Sequence, residues 1–243
     1  MTVSFLAATA AAGTDAIARS PMAERSRAAG ANFESDFGWE HVTDYGDPER
    51  ERELLTSTVG FCDRSQLGKF ELQGPRAELD AIEAAVPARG LSARWCQVTP
   101  TRRMLLREAA DSAAARGHLD ELVAASDSAS NGHVGLLEIT TTYAAISIAG
   151  PSARELFARF CALDLRPGSA APGDFLPGSV ARTPGFVLVE GPDRFLALFG
   201  WALGAYVFDV VADAAAHLGG GPVGSRALQS MPTPATDGED ADA

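Results

Sequence analysis

The chain has 243 residues, is 46% hydrophobic, and carries a net charge of -12 with a pI near 4.7. That length suits one large domain or two intimately packed halves with an ample core. The charge excludes nucleic acid and anionic membrane as main partners, because both demand a basic surface.

Residues 1–20 form an Ala-rich flexible leader without the basic n-region of a secretory signal. No stretch reaches the ~20 apolar residues that a membrane span requires. Arg19-Ser20-Pro21-Met22 opens a more specific region. Cys62, Cys96 and Cys161 lie in or beside apolar stretches, are odd in number, and form no CxxC pair. They read as three buried, reduced thiols of a cytoplasmic protein.

Lys69–Gln73 alternates with period two, the mark of a half-buried strand. Gly74-Pro75 then starts a helix with Pro at its first position, where the missing N–H costs nothing. Leu79, Ile82 and Val86 share one face of it, and Pro87 with Gly90 ends it. Met104-Leu105-Leu106 is a short strand. Residues 108–133, rich in Ala, Ser, Asp and Gly, read as a weakly ordered excursion. Two strands follow, Val134–Ile139 and Ala144–Ile148, joined by a Thr-rich bend.

A second Gly-Pro helix carries Ala153, Leu156, Phe157, Phe160 and Cys161 as an apolar stripe and stops near Asp164. Phe186–Glu190 and Arg194–Phe199 predict a hairpin around Gly191-Pro192-Asp193. A last helix is predicted from Trp201 to Leu218, stopped by Gly219-Gly220-Gly221. Residues 230–243 form a disordered acidic tail.

One unit is written twice. DRSQLGKFELQGPRAEL (Asp63–Leu79) and EITTTYAAISIAGPSAREL (Glu138–Leu156) each hold an acid-x-hydroxyl triplet, an apolar strand, Gly-Pro and a helix. The triplets are Asp63 with Ser65 and Glu138 with Thr140. The fold class this implies is α+β, with two split-βαβ, ferredoxin-like, pseudo-symmetric halves. They span about 33–137 and 138–229 of a domain covering 21–229.

No phosphate loop, dinucleotide fingerprint, zinc helix or nucleophile elbow occurs. His41, His118, His133 and His217 have no partner at ligand spacing, so neither a metal nor a catalytic residue is assigned. Asp63 and Glu138 either flank one pocket on the pseudo-twofold or each cap a turn, the second being favoured by their local chemistry. Arg102, Arg103 and Arg226 are candidate grips for an anion, since arginine offers a planar fork of donors. Trp39, Trp95 and Trp201 read as packing anchors.

RSPMAE, GWEHVTDYGDPERERELLTSTVGFCDRSQLGKFELQGP and VARTPGFVLVEGPDRFLALFG, followed by a helix and GPVGSRAL, resemble the glycine-cleavage T-protein (aminomethyltransferase) superfamily. WCQVTPTRRMLL and EITTTYAAISIAGPSARELFARFCALDLRPGS most resemble the gamma subunit of heterotetrameric sarcosine oxidase. The resemblance covers about residues 19–229. It implies split-βαβ halves around a folate pocket. Arg226 matches the arginine of the closing Gly-x-Arg motif and is the implied tetrahydrofolate contact.

Other motif positions depart from the family. No Gly-Gly-x-x-Asp stretch surrounds Asp111 or Asp120. Pro184-Gly185-Phe186-Val187-Leu188 replaces Gly-Tyr-Thr-Gly-Glu, leaving Glu190 shifted. The resemblance with these losses implies an accessory, non-catalytic subunit with no intrinsic cofactor, partnered by the flavin-bearing subunits of a sarcosine-oxidase-type complex. The alternative is a stand-alone tetrahydrofolate-binding protein or one-carbon transferase.

Overall fold

The computed structural model describes residues 16–88, 94–129 and 133–231. The leader before residue 16, the tail from 232 and the helix stop at Gly90 lie outside them. No helix among the described residues is long and apolar enough to cross a membrane.

The chain starts with strand β1 (Ala18–Arg19), helix α1 (Ala23–Ala28), β2 (Asn32–Asp36) and β3 (Trp39–Asp44), which form a small sheet in the order β1-β3-β2. Residues 18–20, read as the end of the leader, are therefore structured. Helix α2 (Pro48–Ser57) is capped by the Asp47 side chain, which accepts from Arg50 N. Strand β4 (Gly60–Asp63) follows it.

Next come β5 (Gly68–Gln73), helix α3 (Arg76–Ala88), β6 (Arg94–Thr99), β7 (Arg102–Arg107), helix α4 (Ser112–Ala129) and β8 (Gly135–Glu138). The four strands pair antiparallel in the order β6-β7-β5-β8. That is the split-βαβ arrangement the sequence predicts. Leu79, Ile82 and Val86 of α3 and Ala115, Leu119 and Leu122 of α4 pack on Phe70, Leu72 and Leu105.

The 108–133 excursion is thus corrected to a helix over most of its length. Its low hydrophobicity conceals a buried stripe at i, i+4 and i+7, carried by alanine-rich sequence of high helix propensity.

The second sheet takes β9 (Tyr143–Ala149), β10 (Phe175–Val180), β11 (Thr183–Gly191), β12 (Arg194–Gly200) and β13 (Gly221–Pro222), with β4 inserted, in the order β10-β11-β12-β9-β4-β13. Helices α5 (Ala153–Ala158) and α6 (Gly204–Ala216) cover one face, and α7 (Ser225–Gln229) closes the described chain. Alternation decides the layers. Phe195, Ala197 and Phe199 of β12 join the core under α5 and α6, whereas Leu196 and Leu198 meet Met104 and Leu106 of the four-stranded sheet. The result is four layers: helices, sheet, sheet, helices.

Four further expectations need correction. The second Gly-Pro helix ends at Ala158 and not near Asp164, because Ala162 N donates to Ser179 O and Ala181 N to Phe160 O, drawing the chain onto β10. Neither proline sits at N1. The Pro75 carbonyl accepts the first helical bonds, from Glu78 N and Leu79 N, and the cap of α5 is Ser152. Cys161 is only half-buried, unlike Cys62 and Cys96. Lys69–Gln73 is not half-buried, because the second sheet covers its polar face and leaves Lys69 0% and Glu71 5% exposed.

Candidate functional site

The two copies of the repeat meet where the chain crosses between sheets. Residues 64–67 carry it from β4 to β5, and residues 139–142 from β8 to β9. Ser65 Oγ accepts Ala145 N at 3.2 Å, and Thr140 Oγ1 accepts Lys69 N at 3.2 Å. Arg64 N donates to Ala145 O (2.9 Å) and Ile139 N to Lys69 O (2.8 Å). Each crossover is therefore bonded into the first strand of the other repeat.

The acids support these turns. Asp63 Oδ1 accepts Ser65 N at 2.9 Å, and Glu138 Oε1 accepts the Thr140 hydroxyl at 3.1 Å. Asp63 thus caps its turn through a backbone N–H, as one of the two readings has it, whereas Glu138 bonds the neighbouring side-chain hydroxyl instead. Asp63 is 7% exposed, whereas Glu138 is exposed. Burial pushes the Asp63 carboxyl up, and hydrogen bonds from Ser20 and Ser65 pull it back. Ser20 gives the Arg19–Met22 segment a role in the centre of the fold.

Sequence reasoning missed Lys69. Its Nζ donates to Leu67 O at 2.8 Å, Ser65 O at 3.0 Å and Thr140 O at 3.3 Å, so one ammonium ties both crossovers. Desolvation lowers the amine to about 7; Asp63 opposes this and Arg64 reinforces it. Arg64 is itself buried and paired with Glu108 at 2.5 Å. The available signal was a lysine between Gly68 and Phe70 in an apolar strand. The arrangement is closed and internally bonded, so Lys69 offers no proton to an outside molecule.

The other sequence candidates are dispersed. Arg102 pairs with Glu71, and Arg103 with Asp80 and with Glu83, the latter at 2.9 Å. Arg226 pairs with Glu34 and, at 3.1 Å, with Asp44. Glu190 accepts Arg194 at 3.1 Å within the predicted hairpin. His118 and His133 belong to the α4 helix and the residues before β8, while His217 bonds the Asp213 carbonyl at 2.7 Å. Asp111 and Asp120 pair with Arg107 and Arg116. Trp39 and Trp201 meet edge to face at 6.0 Å, and Trp95 packs on the α3–α4 core.

His41 faces Glu34 across β2 and β3, and with Asp36 forms a group whose ligand atoms lie within 4.8 Å of one another. Glu34 in this group already holds Arg226. Aromatic side chains edge the space between the sheets: Phe175 stacks on Phe186 at 4.8 Å, and Tyr143 meets Phe186 at 5.8 Å.

No protein-family model matches the sequence, and no curated protein matches it either. Solved structures do. Glycine cleavage system aminomethyltransferase T from Bartonella henselae superposes with a TM-score of 0.67 and 16% identity over 87% of this chain. The chain has the T-protein fold. It spans 61% of that aminomethyltransferase's length. A chain of heterotetrameric sarcosine oxidase from Corynebacterium sp. U-96, solved with pyrrole 2-carboxylate, superposes with a TM-score of 0.59 and 15% identity, covering 83% of this chain and 96% of that one.

Arg226, the tetrahydrofolate contact that the resemblance implies, is engaged within the chain as the side chains stand. Both terminal nitrogens of Arg226 are taken by carboxylates. A glutamate tail bound there would have to displace Glu34 and Asp44.

Proposed function

We propose that the chain is an accessory, non-catalytic subunit of a flavin-dependent, sarcosine-oxidase-type complex. The observation that carries this reading is the commitment of its polar groups to the fold itself. Lys69, Asp63, Ser65 and Thr140 bond one another's segments, and Arg226 is neutralised by Glu34 and Asp44. A T-protein fold whose crossover polar groups and Arg226 serve structure suits a scaffold in a larger assembly. The match over 96% of a sarcosine oxidase chain supports the same reading. Its partners would be flavin-bearing subunits. Native extract tests it: size exclusion with mass spectrometry should find this chain co-eluting with flavin absorbance in a hetero-oligomer. A monomer without flavoprotein would overturn it.

The alternative, a tetrahydrofolate-binding protein or one-carbon transferase, draws on the aminomethyltransferase likeness. Calorimetry with tetrahydrofolate separates the two. Micromolar binding, on the order of -8 kcal/mol, abolished by Arg226→Ala, would favour the alternative. Absence of heat at millimolar ligand would remove it.

A further inference from the structure

On the helix side of the six-stranded sheet, a cleft of about 410 Å³ opens between the turn after α5, the tip of the β10–β11 hairpin and α6. Arg159, Cys161, Ser179, Arg182, Tyr206 and Val210 contribute to its wall. The hairpin tip is a two-residue turn. Ala181 (φ 48) and Arg182 (φ 61) both hold the left-handed conformation that such turns normally give to Asn and Gly.

Three bonds impose this shape. Ala181 N donates to Phe160 O at 2.9 Å, the Tyr206 hydroxyl donates to Ala181 O at 3.1 Å, and the Thr183 hydroxyl donates to Val180 O at 2.9 Å. Backbone strain fixed by its surroundings points to a positioned group, and the group positioned here is Arg182. It is exposed and forms no ion pair among the described residues. Arg159 stands in the same wall, and among the described residues its one ion pair is a 3.3 Å contact to exposed Glu155. Tyr206 is 45% exposed despite its ring, and Val210, one turn further along α6, extends the apolar side.

We propose that this cleft binds a small amphipathic anion. Its carboxylate or phosphate end lies between Arg182 and Arg159, whose forks of donors match either group. Its apolar or aromatic body lies against Tyr206 and Val210. No crossover residue, 64–67 or 139–142, lines this cleft.

Cys161 supplies the reporter. It lines the cleft and is half-buried, whereas Cys62 and Cys96 are buried. Alkylation of the full chain by iodoacetamide, located by peptide mass spectrometry, would be timed with benzoate, phenyl phosphate or neutral benzyl alcohol present. One or both anions should slow Cys161 labelling severalfold and saturably, with benzyl alcohol inert. The stronger protector identifies the anion. Arg182→Gly keeps or improves the left-handed turn and should abolish protection while leaving the melting temperature unchanged or raised. Arg159→Gln should weaken it. Equal protection by benzyl alcohol, or protection that survives Arg182→Gly, would overturn the proposal. If Cys161 resists alkylation, calorimetry with benzoate and with phenyl phosphate takes its place, and no heat from either overturns it too.

Discussion

Ser65 and Thr140 cap each other's repeats: the serine hydroxyl accepts the backbone of Ala145 in β9, and the threonine hydroxyl that of Lys69 in β5, both at 3.2 Å. The acid-x-hydroxyl triplet recurs because both crossovers must terminate one sheet and satisfy an N–H of the next. A buried donor without an acceptor is costly, so the hydroxyl persists in both copies.

Ser65→Ala and Thr140→Ala should each destabilise by about 1–3 kcal/mol, the cost of an orphaned buried N–H. The two sites share Lys69, whose Nζ reaches the carbonyl of both residues. The double variant should therefore depart from additivity by at least about 0.5 kcal/mol. Urea denaturation of the three variants measures this. Strictly additive losses would mean that the crossovers act separately.

Lys69 predicts a pH dependence. Unfolded, its amine titrates near 10.5; folded, burial lowers it to about 7. Between those values the unfolded chain holds more protons, so stability rises with pH there and is flat below about 7, where both states are protonated. Lys69→Met removes the effect. The stability difference, wild type minus variant, should grow by on the order of 1–3 kcal/mol from about pH 6.5 to about pH 9. A constant difference would mean that the three carbonyls keep the amine charged despite its burial.

Helix α4 is integral to the core, with Leu119 0% and Ala115 0% exposed. Leu119→Ala should cost about 2–5 kcal/mol by loss of burial and the cavity left behind. Exposed Asp120, one residue on, should tolerate Asp120→Ala to within about 0.5 kcal/mol. Thermal melts decide it; a harmless Leu119→Ala would return the segment to a loosely attached excursion.

Strands with strict alternation and the paired Gly-Pro turns were legible in the sequence, because period two and backbone punctuation are local signals. The Phe186–Glu190 and Arg194–Phe199 hairpin is legible from two apolar runs around the Gly191-Pro192-Asp193 turn. What escaped were facts set by distant chain. Lys69 looked like the wet side of a strand until a second sheet covered it. Helix α4 carries its buried stripe, Ala115, Leu119 and Leu122, inside a composition otherwise rich in Ala, Ser and Asp, which masks the spacing. Arg226 carried the motif of a ligand contact, but no local pattern announces that Glu34 and Asp44, far back in the chain, reach it first. The cleft at Arg182 depends on a hairpin tip, a helix end and α6 meeting, and no single segment encodes it.

The two Gly-Pro turns look alike in sequence and differ in space. Gly150 has φ 122, a conformation that side chains rarely adopt, and a Cβ there would stand 2.6 Å from Thr58 O and 3.1 Å from Leu55 O, both backbone. The fold brings the end of α2 against this turn, where Ser152 N also bonds Thr58 O at 2.9 Å. Gly74 meets milder neighbours, a Val134 methyl at 3.0 Å and His133 O at 3.2 Å, and its φ lies outside the left-handed region. Gly150→Val should therefore cost about 3 kcal/mol or more, through backbone strain and displacement of α2. Gly74→Val should cost about 1–2 kcal/mol, since the Val134 side chain can give. Denaturant midpoints of the two variants rank them. Equal losses would show that left-handed geometry and the α2 contact add nothing at Gly150, and that the two turns are equivalent in space as they are in sequence.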